Sequence, residues 1–160
     1  MRLAAPALAL IFVFGLARPV SADATAFLGT SSNPTNRLTR GFSVGFGLVI
    51  VGFEFEYSKV AEAEDEGAPS LTLGMGNALL QTPDLGTIQL YFTAGGGIYR
   101  ERLEATDHQE TNFGANTGGG VKIPLAGPLR LRVDYRLFKL RGSPLYSQAQ
   151  RFYAGVNLRF

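Results

Sequence analysis

From residue 23 onward, apolar side chains recur at every second position along most of the chain. A period of two is the signature of a strand with one greasy face. No later stretch approaches the eighteen consecutive apolar residues of a membrane helix, and none shows the three-to-four spacing of an amphipathic one. Strands are read at 25–30, 41–47, 49–59, 70–80, 87–104, 112–124, 129–141 and 151–160. In the last of these, Phe152, Ala154, Val156, Leu158 and Phe160 share one face, and Arg151, Tyr153, Gly155, Asn157 and Arg159 share the other. In the strand before it, Leu129, Leu131, Val133, Tyr135 and Leu137 oppose Arg130, Arg132, Asp134 and Arg136. The same parity assigns Phe42, Val44, Phe46, Phe53, Phe55, Leu71, Leu73, Met75, Leu79, Leu90 and Phe92 to the apolar face.

Periodicity does not say which way that face points. A soluble lipocalin-like barrel keeps its apolar residues inside, whereas a membrane barrel turns them out. The polar face here is built from small residues, as in Gly41, Ser43, Gly45, Gly47 and Gly114, Asn116, Gly118, Gly120. Water-facing surfaces are rich in Lys and Glu instead. Only 18% of the chain is charged against 46% hydrophobic. Small polar residues suit the narrow lumen of an eight-stranded barrel, so the expectation is an all-β, eight-stranded antiparallel up-and-down transmembrane β-barrel.

The N-terminal segment has a different character. Arg2 precedes an unbroken apolar run at 3–17, and Val20-Ser21-Ala22 offers small residues at the positions a signal peptidase reads. The expected organisation is a signal peptide at 1–22 and a barrel domain at 23–160. Fifteen basic residues less Arg2 and Arg18 leave thirteen, equal to the thirteen acidic ones, so the exported chain is neutral. That excludes a polycationic nucleic-acid binder. With no cysteine, a disulfide scaffold is excluded too.

The polar links at 31–40, 60–69, 105–111 and 142–150 are longer than those near Gly47-Leu48, at 81–86 around Pro83-Asp84, and at 125–128. In a meander, alternate connections lie at one end, so long loops gather at one rim and short turns at the other. This asymmetry, the export signal and the closing strand RFYAGVNLRF resemble the small outer-membrane β-barrels of the OmpA/OmpX type. The resemblance implies a monomer in the outer membrane of a Gram-negative envelope, in contact with membrane lipid and lipopolysaccharide. It also implies that Phe152, Tyr153 and Phe160 act as the signal read by the barrel-assembly machinery. No periplasmic peptidoglycan-binding domain is expected after the barrel.

Inside such a barrel the charges need partners, because an unpaired ion in a low-dielectric lumen costs several kcal/mol. Strands three and seven of eight face each other. Glu54 and Glu56 are therefore expected to meet Arg132, Arg136 or both in a lumen network with Arg130, Asp134 and Arg159; Lys122 and Arg151 also point inward. That network plugs the barrel; the alternative is a narrow anion-favouring pore. The glycine triplets at 95–97 and 118–120 are read as thinned, bendable wall beside bulky residues such as Tyr91 and Tyr99, placed side by side by a hairpin centred near His108.

No catalytic, cofactor or metal site is expected. His108, the only histidine, is assigned to an exposed loop crest. Some barrels that resemble this chain modify lipid A, but the deacylase type carries a His-x-Ser motif on a late strand, which is absent here. Residues 61–67 carry four acids without the spacing of a calcium loop, and Arg37, Arg40, Arg100 and Arg102 lie where lipid phosphates would be met. The expected role is structural or barrier-supporting, with external loops that contact lipopolysaccharide or other surfaces. A pore and a lipid A-modifying enzyme are the alternatives.

Overall fold

The computed structural model describes residues 21–83 and 85–160. Residues 1–20 of the expected signal peptide, and Asp84 of the Pro83-Asp84 turn, lie outside the described residues. Eight strands follow in order: β1 (Ser21–Ser32), β2 (Arg37–Leu48), β3 (Val51–Val60), β4 (Ser70–Gln81), β5 (Gln89–Leu103), β6 (His108–Ala126), β7 (Leu129–Leu140) and β8 (Gln148–Arg159). Each pairs antiparallel with its sequence neighbour, and β1 pairs with β8, closing the sheet. Closure leaves no edge with unpaired backbone groups.

The register fixes the shape. Successive ladder partners from Ser21 run through Gly47, Gly52, Leu79, Thr93, Gly118, Arg136 and Arg151, and return to β1 at Ser31, ten residues further along. With strands roughly 4.8 Å apart and a rise of about 3.3 Å per residue, that stagger tilts the strands by about 40°. The lumen is then narrow enough for side chains to fill.

Alternation sorts the residues. Phe42, Val44 and Phe46 on β2, Phe53 and Phe55 on β3, Leu90, Phe92 and Ile98 on β5, and Phe152 and Val156 on β8 all stand on the outer surface, about half exposed. The arginines and glutamates between them are buried in the lumen. One strand reverses the expected assignment. On β4, Leu71, Leu73, Met75 and Leu79 face inward and are buried, whereas Thr72, Gly74, Gly76 and Ala78 face out. The ladder requires this: Met75 lies opposite Glu56 and Asn77 opposite Glu54, and directly opposed residues share a face.

The loops also differ from the sequence reading. At the rim away from the termini the connections are 33–36, 61–69, 104–107 and 141–147; at the other they are 49–50, 82–88 and 127–128. The first and third upper connections are short because polar sequence continues as strand, so that β6 runs for 19 residues. His108 is accordingly not a loop crest. It opens β6, half-buried, with Nε2 3.2 Å from the buried carboxylate of Glu101. A 3-10 turn at Glu104–Thr106, closed by a left-handed Asp107, pairs Leu103 with His108. This moves the hairpin centre toward the N-terminus, and the glycine triplets do not pair with each other. Gly118, Gly119 and Gly120 face Thr93, Phe92 and Tyr91, while Gly95, Gly96 and Gly97 face Asn116, Ala115 and Gly114.

The inward phase of β4 is testable. Met75→Ala leaves a hole in the lumen and should cost about 2–5 kcal/mol, read as a lower midpoint for denaturant unfolding in detergent. Leu80→Ala, on the outer surface of the same strand, should shift the midpoint far less.

Candidate functional site

The charged residues of the lumen converge at one level of the barrel. Arg132, on β7, ion-pairs with Glu54 on β3 and donates from Nε to the Tyr91 hydroxyl at 2.8 Å. Arg136, two pleat repeats higher on β7, reaches Glu54 at 2.8 Å, Glu56 at 3.0 Å and Asp134 at 3.0 Å. Arg151, from β8, meets Glu56 at 2.7 Å and donates to the Ser58 hydroxyl at 2.9 Å. Ser43 donates to Glu54 at 3.0 Å, and the Tyr91 hydroxyl donates to Asp134.

Three guanidinium groups and three carboxylates therefore form one cluster with no net charge. Arg132, Arg136 and Glu56 are fully sealed, at 0% exposure. Removing such ions from water costs several kcal/mol each, and only mutual pairing with saturated hydrogen bonding offsets it. The bridges span the bore from β3 to β7 and β8, so they also act as struts.

Aromatic and small residues shape the space around the cluster. The Arg151 guanidinium lies 4.8 Å from the Phe138 ring centre and 5.1 Å from that of Phe27, which stacks on Tyr153 at 4.0 Å. A Cβ on Gly118 would lie 2.8 Å from Arg136 Cγ, and one on Gly120 would lie 2.5 Å from the Tyr91 hydroxyl. The inner wall is thin where the largest lumen side chains cross it.

Below the cluster, toward the termini, a cavity of about 300 Å³ opens at the lower rim. Lys122 pairs there with Asp23, Arg130 donates to Gln89 at 3.2 Å, and Arg159 donates to Ser21 at 3.0 Å. Above it, Val60, Leu71, Leu73, Met75, Tyr99, Phe138, Leu140 and Ala149 form a buried apolar layer. The upper connections are tied over this layer. Leu145 N–H donates to Glu101 at 2.8 Å, Glu104 N–H to Glu62 at 2.7 Å, and the Tyr99 hydroxyl to the carbonyl of Arg141. Arg37 donates to the carbonyls of Pro69 and Asn33.

Of the residues assigned to the lumen network, the structure brings together Glu54, Glu56, Arg132, Asp134 and Arg136. Arg130 and Arg159 lie apart from the cluster at the lower rim, and Arg151 joins it. Phe152 and Phe160 are exposed on the outside, whereas Tyr153 is buried in the lumen. The apolar layer was not anticipated; its signal was Asn77, which shares parity with Leu71 through Leu79 on β4. Among the described residues no hydroxyl is hydrogen-bonded to His108 Nε2.

No protein family matches the chain by sequence, and no curated protein does. Solved structures do match. Neisserial surface protein A superposes with a TM-score of 0.68 at 17% identity, over 88% of this chain and 97% of that one. The N-terminal β-barrel domain of Pseudomonas aeruginosa OprF gives 0.66 at 19% identity, over 88% and 97%. The outer membrane enzyme PagL gives 0.57 at 14%, over 85% and 98%. The chain has the fold of the eight-stranded outer-membrane barrels.

Glu56 holds two arginines, so Glu56→Gln should destabilise the barrel by about 3–5 kcal/mol by leaving buried cations short of a partner. Adding Arg151→Met should recover part of that loss, which a double-mutant comparison of unfolding free energies in detergent measures.

Proposed function

We propose that this chain is an outer-membrane barrel with a closed lumen, and that its role is structural, supporting the barrier rather than carrying solutes. An outer surface lined with half-exposed phenylalanine, leucine and valine is far larger than the apolar patches soluble monomers tolerate. In lipid the same surface is satisfied, and a closed ladder leaves no backbone group unpaired there. On this reading the termini and turns face the periplasm, and the tied loops face outward, where they contact lipopolysaccharide or another surface. Phe152 on β8 and Phe160 just after it, both exposed, would be available to the assembly machinery.

The observation that carries the proposal is the neutral cluster of three arginines and three carboxylates beneath an apolar layer. A pore needs a wet path with charges free to meet a passing ion. Here the charges are spent on one another, and Leu73, Met75, Tyr99 and Phe138 cap them.

Recordings across planar bilayers decide between plug and pore. The reconstituted wild-type barrel should give no discrete conductance steps. Anion-selective steps that disappear in Arg132→Gln would overturn the proposal.

A further inference from the structure

The wall of the barrel carries a second charged feature that the lumen does not use. Arg40 on β2 and Lys59 on β3 are direct ladder partners, and both point outward. Like charges directly opposed across a ladder repel and destabilise the pair. Arg102, also outward near this rim, meets Glu104 two residues along the chain at 3.4 Å. Neither Arg40 nor Lys59 has an acidic partner among the described residues; Lys59 instead lies 5.9 Å over the Tyr57 ring.

Directly below the two cations, on the outer face, runs a shallow trough across β8, β1, β2 and β3. The small Ala26 and Ala154 line it together with the larger Leu28, Phe42, Tyr57 and Val156. The ladder explains the shape: Ala26 sits between Phe42 and Val156, and Leu28 between Arg40 and Ala154. Small residues flanked by large apolar ones leave a shallow depression in the outer wall. Its polar end lies on β2 and β3 where the apolar stripe gives way to the upper rim.

We propose that this trough and the Arg40–Lys59 pair together bind one phosphorylated acyl lipid of the outer leaflet. The acyl chain lies along Ala26 and Ala154, and the phosphate sits between the two cations. A phosphate dianion converts their repulsion into two charge-assisted hydrogen bonds, and the apolar trough accounts for a lipid rather than a free phosphate. The inference rests on the outer-membrane reading of the previous section and adds a defined site on the wall, separate from the loops.

Native mass spectrometry of the purified barrel, loaded with bisphosphorylated lipid A and released from detergent, tests it. Wild type should retain one lipid A, and Arg40→Gln with Lys59→Gln should retain it about tenfold less well. Lys139→Gln removes an outward cation that faces Ala115 and Gln148, and should leave retention unchanged. Dephosphorylated lipid A should bind the wild type no better than lipid A binds the double variant, an arm that needs no substitution. Equal retention by wild type and double variant, or indifference to loss of the phosphates, overturns the site. Fractionation that finds the chain away from the outer membrane overturns the functional reading instead, while the retention arms still judge the site.

Discussion

A charged group inside a narrow closed sheet has no water to turn to, and most of this structure follows from that restriction. Glu54 and Glu56 lie on β3, and their counter-ions come from β7 and β8 across the bore. Each pairing fixes which parity of its strand points inward. Because directly opposed residues share a face, that choice passes from ladder to ladder around the barrel. A slip of one residue would expose arginines to the outside and bury phenylalanines within.

The lumen is stratified as a result. The cavity at the lower rim holds Asp23, Lys122, Arg130 and Arg159 beside apolar residues such as Leu79 and Leu85, the neutral cluster crosses the middle, and an apolar layer lies above it beneath the tied loops. The order places the costliest desolvation in the best-paired layer. Charges there hold strands together rather than handling a ligand, which is why closure and structural support are assigned to one set of residues.

Strands with a strong contrast between their faces were legible in the sequence. On β2, β3, β7 and β8 an aromatic or aliphatic residue alternates with a small or charged one, and only one assignment to lumen and exterior avoids burying unpaired charge against lipid. β4 lacked that contrast. Its alternation is between leucines and glycines, either of which can face lipid, so only the ladder to Glu54 and Glu56 decides. The eight-stranded fold itself could be read, because period two and closure do not depend on any single strand. Loop ends could not, since polar residues such as Arg37 and Thr39 continue as strand once their backbone groups find a ladder partner. In the lumen, sign and parity located the opposing charges, but not their height: Arg130 and Arg159 share parity with Arg132 and Arg136 yet sit too near the lower rim to reach Glu54 or Glu56.

The pairing across the bore is most directly measured by solid-state NMR on the barrel in lipid bilayers, with labelled guanidinium nitrogens and glutamate carboxyl carbons. Strong dipolar transfer should link the Arg136 and Arg151 side chains to Glu56, as contacts of 3.0 and 2.7 Å require. Guanidinium signals that show no such transfer and exchange freely with bulk water would contradict a closed, self-neutralised interior.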